Sequence, residues 1–143
     1  MATVEDLDGV IESCQQAMRE FGKGNAEHMQ ALYSRREVVT IATAIDPPAG
    51  WDEVTRNMER SASNLSEGEI DTFETVTRVV TPELAYVVWV EHHRGKIGER
   101  DEIVDFPLRV TIIFRLEDDT WKIVHRHTDT VISPRSHESM IKE

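Results

Sequence analysis

The stretch that decides the fold is LRVTIIFRLEDDTWKIVHRHTD, Leu108 to Asp129. Two runs rich in β-branched and aromatic residues flank Asp118-Asp119, which predicts an antiparallel hairpin closed by a two-residue turn without the glycine that favours the tightest type. With that turn, Glu117 faces Thr120, Leu116 faces Trp121 and Phe114 faces Ile123. Continued without interruption, the ladder pairs Ile112 with His125, Val110 with His127 and Leu108 with Asp129. Side chains alternate with period two, so all of these share one face. The opposite face carries Arg109, Thr111, Ile113 and Arg115 against Thr128, Arg126, Val124 and Lys122 and is mostly polar. The apolar face is therefore the one that needs a cover.

Upstream, the period changes. Val4, Leu7, Ile11, Cys14, Met18 and Phe21 recur at steps of three and four, which predicts a helix with one core-facing stripe. A coiled coil is the alternative, but the pattern spans only about three heptads before Gly22 and Gly24 stop it. Thr3 can cap its start. Asn25 can cap a second, short helix with Met29, Leu32 and Tyr33 on its inner side. Val38 to Ile45 is β-branched and predicts a strand, broken by Asp46-Pro47-Pro48-Ala49-Gly50. Trp51, Val54, Met58 and Leu65 mark a third helix, closed by Ser66-Glu67-Gly68. Strands are then predicted over Ile70–Val80, Leu84–Arg94, Ile103–Glu117 and Trp121–Ile132, with a hairpin loop over Gly95–Glu99. Residues 1–132 make one domain, and 133–143 a frayed tail. Segregated helices and a strand meander define an α+β fold with helices on one face of a curved sheet.

The 143 residues suffice for one core. With 16 Lys and Arg against 27 Asp and Glu, the formal net charge is −11. That charge repels phosphate backbones and anionic lipid, so neither nucleic acid nor membrane is an expected partner. A single cysteine excludes an internal disulfide and a multi-cysteine metal site. No apolar run approaches the ~20 residues of a membrane span, and no basic segment followed by an apolar one opens the chain. The expectation is a cytoplasmic bacterial protein. Leu84, Tyr86, Val88 and Val90 on one face of their strand, and Ala85, Val87 and Trp89 on the other, are all apolar. One helix layer covers only one face, so a homodimer is expected over the second.

The chain resembles the SnoaL-like (polyketide cyclase and ketosteroid isomerase related) branch of the nuclear transport factor 2-like superfamily. The resemblance spans about residues 5–130. It rests on the order of elements and on FGKGNAEHMQALYS (21–34), IDPPAGWDEV (45–54) and the closing hairpin. It implies a cystatin-like cone, three N-terminal helices packed on a curved antiparallel sheet, with a pocket between them and frequent dimers. The superfamily includes isomerases, cyclases, dehydratases, epoxide hydrolases and non-catalytic association modules, so fold alone does not settle function. Steroid isomerisation needs a carboxylate base and an oxyanion hole of a tyrosine and a protonated acid. Ile112 and about Gln16 stand at the oxyanion positions, and only Asp46 resembles the base.

Under the uninterrupted register, His125, His127 and Asp129 point into the helix-covered hollow. They are the candidate catalytic groups, with Asp46 a weaker one. One of Asp129 and His127 would abstract a proton beside a carbonyl, and a histidine would hold the enolate. Met18, Tyr33, Trp51, Val110 and Ile112 are the candidate ligand-binding residues. The expected partner is a small apolar organic molecule, with no cofactor and no metal. Two other readings stay open for the histidines: a purely structural role, and a His-x-His-x-Asp metal site completed by Glu91 or His93. Cys14, on the apolar stripe, is expected to be an inert core thiol. A binder or enzyme should show a cavity of about 300 Å3 or more with a few polar groups, whereas an association module should show a filled one.

Overall fold

The computed structural model describes residues 4–36, 40–42 and 50–131. Thr3, Asp46 and the tail at 133–143 lie outside them. Helices α1 (Val4–Phe21), α2 (Glu27–Leu32) and α3 (Trp51–Ser63) pack on a five-stranded sheet of β1 (Thr40–Ala42), β2 (Leu65–Val80), β3 (Leu84–Ile97), β4 (Val104–Glu117) and β5 (Thr120–Thr130). The sheet order is β1-β5-β4-β3-β2. The last four strands form an antiparallel meander. β1 adds a short parallel edge beside β5, with Thr40 opposite His125 and Ala42 opposite His127.

The α1 stripe does what its spacing requires: Leu7, Cys14, Met18 and Phe21 are buried, and Ile11 packs partly buried against the core. Burial pushes the Cys14 thiol up to about 12, more than the nearby Arg126 charge can offset, so the thiol stays protonated. Asn25 Oδ1 accepts from the Glu27 amide at 3.0 Å and satisfies one free donor at the start of α2. The inner sheet face contributes Ala85, Val87, Trp89, Val110, Ile112, Phe114, Trp121 and Ile123 to the same core.

Two boundaries differ from expectation for one reason. Ser66-Glu67-Gly68 opens β2 instead of ending α3, and Gly95 lies inside β3 instead of in a loop. Gly22, Gly68 and Gly95 form a close backbone contact: the Gly68 amide donates to Gly22 O at 3.1 Å. A Cβ on Gly68 would sit 2.3 Å from Gly22 O, and one on Gly95 would sit 2.9 Å from the Gly68 Cα. These glycines bring the end of α1 onto the β2–β3 ladder, which is a strand role for glycine and not a turn role.

The closing hairpin carries the main correction. Asp118 and Asp119 are the turn, at φ 50° and 64°. Both sit in the left-handed region that a type I′ turn demands, which aspartate tolerates. Pairing runs as expected through Leu116–Trp121 and Phe114–Ile123 and then shifts: Ile113 pairs with His125, Thr111 with His127 and Arg109 with Asp129. Val124 is the extra residue of a β-bulge. One inserted residue exchanges the two faces of everything beyond it. Arg126, opposite Ile112, thus turns inward, and His125, His127 and Asp129 turn to the outer face.

Candidate functional site

Beyond the bulge, the inner face holds a buried polar cluster. Continuing the alternation of Ala85, Val87 and Trp89 along β3 brings Glu91 and His93 to the same face, and both are buried. Arg126 reaches them from β5, across β4. Its Nη2 donates to both Glu91 oxygens, at 3.1 and 3.2 Å. Trp89 Nε1 donates to Glu91 Oε2 at 2.9 Å, and His93 Nε2 lies 2.9 Å from Oε1. Burial alone would raise the Glu91 pKa. The Arg126 charge and the hydrogen bonds from His93 and Trp89 outweigh it and hold the carboxyl down to about 2. Glu91 is therefore a carboxylate and only accepts. It follows that His93 Nε2 carries the proton, and that in the neutral imidazole Nδ1 holds the lone pair. The ring is further fixed by stacking on Phe106, with centroids 5.0 Å apart.

This cluster forms part of the wall of a cavity of about 370 Å3. Met18, Phe21, Met29 and Met58 from the helices and Phe106 and Leu108 from β4 make most of that wall apolar. Arg126 is 4% exposed, yet its Nη1 has no hydrogen-bond partner among the described residues. The Oδ1 of Asn57, also on the wall, is likewise unpartnered. A buried donor without an acceptor costs about 1–3 kcal/mol.

The expected residues distribute as follows. Met18 lines the cavity. Tyr33, Val110 and Ile112 are fully packed in the core, and Trp51 is half-buried at the start of α3 with the Arg35 guanidinium 3.9 Å above its ring. The expectation that His125, His127 and Asp129 enter the hollow is corrected. His127 is exposed and Asp129 takes a bidentate pair from Arg109, at 3.0 and 2.7 Å. The His125 and His127 rings stand 6.5 Å apart and perpendicular. Among the described residues, no group of three His, Cys, Asp or Glu side chains could hold a metal ion. Arg126 has no place among the expected site residues, although an inward Glu91 calls for a cation.

A helix-roofed cone with a mostly apolar cavity and a small ionic cluster on its sheet wall defines a pocket-bearing α+β protein. The profile of the SnoaL-like domain matches residues 10–133, and the chain belongs to that family. Solved structures agree on the fold. A nuclear transport factor 2-like superfamily protein from Salmonella enterica serovar Typhimurium superposes with a TM-score of 0.79 at 14% identity, covering 96% of this chain and 99% of that one. A protein described as a candidate dehydratase of the NTF2-like family from Streptomyces avermitilis gives 0.74 at 20% identity, over 91% and 96%. A candidate calcium/calmodulin-dependent protein kinase type II association domain from Thiobacillus denitrificans gives 0.68 at 15%, over 87% and 94%. No curated protein matches the sequence. No helix among the described residues is long and apolar enough to cross a membrane.

Proposed function

We propose that this chain binds a small, largely apolar organic molecule in the His93–Arg126 cavity and performs cofactor-independent acid–base chemistry of the isomerase or cyclase type on it. The observation that carries the reading is the ionised Glu91, which holds His93 and Arg126 on a mostly apolar wall. His93 Nδ1 takes a proton from the carbon beside a carbonyl. The C–H electron pair becomes a C=C bond, and the carbonyl oxygen gains the charge and accepts from Arg126. Return of the proton to the same or another carbon completes the cycle and regenerates the imidazole.

The test is exchange of α-protons of 4-phenyl-2-butanone in D2O, followed by NMR. The protein should accelerate exchange, and His93→Gln should remove about 10²–10⁴-fold of that acceleration. A His93→Gln protein as fast as the original, or an original no faster than buffer, contradicts the acid–base reading.

A second reading concerns the other face of the sheet. Leu84 and Tyr86 are 49% and 39% exposed, and with Val79, Val88 and Ile113 they line a shallow apolar depression there. A second copy of the chain is the proposed occupant, because this face is continuous and apolar along β3 and lies opposite the cavity. Homodimerisation and the pocket chemistry therefore do not compete for a surface. Tyr86→Glu should convert a dimer to a monomer in light scattering. An unchanged mass for Tyr86→Glu, or a monomeric original, contradicts it.

A further inference from the structure

The bulge that turns Arg126 inward sets His125 and His127 on the outer face of β5, two residues apart and so side by side along the strand. Their rings stand perpendicular, with centroids 6.5 Å apart. The strand beneath them is paired on both flanks: Ile113 and Thr111 of β4 lie opposite the two histidines on one side, and Thr40 and Ala42 of β1 on the other. The backbone that carries the pair is thus fixed, and only side-chain torsions remain to be set. His127 is exposed and His125 half-buried, so both rings border solvent.

We propose that His125 and His127 form a two-imidazole chelate for a divalent transition-metal ion of the cobalt, nickel and copper class. An ion 2.0–2.1 Å from one nitrogen of each ring, at a tetrahedral angle, would hold the two centroids about 5 Å apart. Small rotations about the side-chain torsions of the exposed His127 bring the rings that much closer. Imidazole nitrogen suits these ions, whereas Mg2+ and Ca2+ call for oxygen ligands. Asp129, the third member of the His-x-His-x-Asp pattern, is not a ligand, because Arg109 holds it from two nitrogens at 3.0 and 2.7 Å. The same pairing offsets the Arg109 charge, which would otherwise repel a cation from this part of the face. Two protein ligands leave the rest of the coordination sphere to water, so affinity depends on having both rings. The site faces away from the cavity, and the apolar depression is lined by residues of β2 to β4, one strand over. It therefore rests neither on the pocket chemistry nor on the dimer.

Titration calorimetry of CoCl2, NiCl2 and MgCl2 into the chelator-treated full chain at pH 7.5 tests this. One Ni2+ should bind per chain, more tightly than Co2+, and Mg2+ should not bind at the same concentrations. His125→Gln and His127→Gln should each lower the Ni2+ affinity at least about tenfold. The double variant should lose little more, since one imidazole alone no longer chelates. His92→Gln is the control: His92 lies on the same face but on β3, with its Nε2 3.1 Å from Glu74 Oε1, and its loss should leave the affinity unchanged. Circular dichroism with and without metal shows that the variants, all at positions not fully buried, keep the fold. A Ni2+ affinity that neither His125→Gln nor His127→Gln moves overturns the site. So does a loss as large with His92→Gln as with His127→Gln, which would mean adventitious binding by scattered histidines, or Ni2+ binding no tighter than Mg2+.

Discussion

Replacing Glu91 with leucine is expected to lower the unfolding free energy by about 3–5 kcal/mol in urea titrations at pH 7, because it leaves a guanidinium buried without a counter-charge. Arg126 has 5% of its side chain exposed and Glu91 none, so water cannot replace the lost partner. Trp89 Nε1 and His93 Nε2 lose their acceptor in the same step. Removing both charges at once should recover much of the loss, since a buried ion pair contributes little net stability while half of one costs heavily. Acid should produce a related effect. Glu91 falls from 4.5 in its ordinary state to about 2 in the folded chain. A depressed carboxyl stabilises above its unfolded pKa and loses that contribution as pH falls through the folded one. About 3 kcal/mol should therefore disappear between pH 4.5 and pH 2, and the paired Glu91→Gln, Arg126→Met variant should lack that component. An unfolding profile over this window identical in the two proteins contradicts it.

Gly68→Ala should cost about 3 kcal/mol, a large penalty for one methyl group. The added Cβ meets the Gly22 carbonyl oxygen, carbon and Cα at 2.3, 2.7 and 2.9 Å. All three are backbone atoms, so no side chain can rotate away. Relief requires moving the end of α1 off the sheet, with loss of the 3.1 Å bond from Gly68 N to Gly22 O. Gly9 is the control, as it lies in α1 where an added methyl would meet nothing within 4 Å. Gly9→Ala should stabilise by about 0.5–1 kcal/mol through helix propensity alone. Equal urea midpoints for the two alanine variants would show that the three-glycine contact is loose.

Much of this architecture is legible in the residue pattern. The α1 stripe, the Asp118-Asp119 turn and the meander of the last four strands all follow from periodicity and turn chemistry, because those signals are local. The bulge at Val124 is not local. Ile123-Val124 and Ile112-Ile113 are each two apolar residues in succession, which leaves the ladder free to slip by one without exposing an apolar side chain at that point. The slip is decided by what lies two strands away. Alternation from Trp89 carries Glu91 into the core, and a buried carboxylate needs a cation. Arg126 answers that need only if the final strand gains a residue before it. The neighbouring imidazoles draw attention as the familiar acid–base residues, yet the added residue turns both of them off the inner face. The electrostatic demand of Glu91 is the sequence signal that locates the site.

The boundaries at Gly68 and Gly95 are hidden for a different physical reason. Glycine usually ends an element by supplying a positive φ, and Gly24 does so at 97°. Gly68 and Gly95 instead serve by having no side chain where two backbones meet, and nothing in their immediate neighbours distinguishes the two uses.

The central claim is that Arg126, and not His125 or His127 beside it, turns to the inner face and pairs with Glu91 behind the cavity wall. A double-mutant cycle of Glu91→Gln and Arg126→Met, read by urea unfolding at pH 7, tests it most directly. The two single losses should exceed the loss in the paired variant by about 1–3 kcal/mol. Additivity within about 0.5 kcal/mol would place Arg126 on the outer face, far from Glu91, and contradict the bulged register on which the site depends.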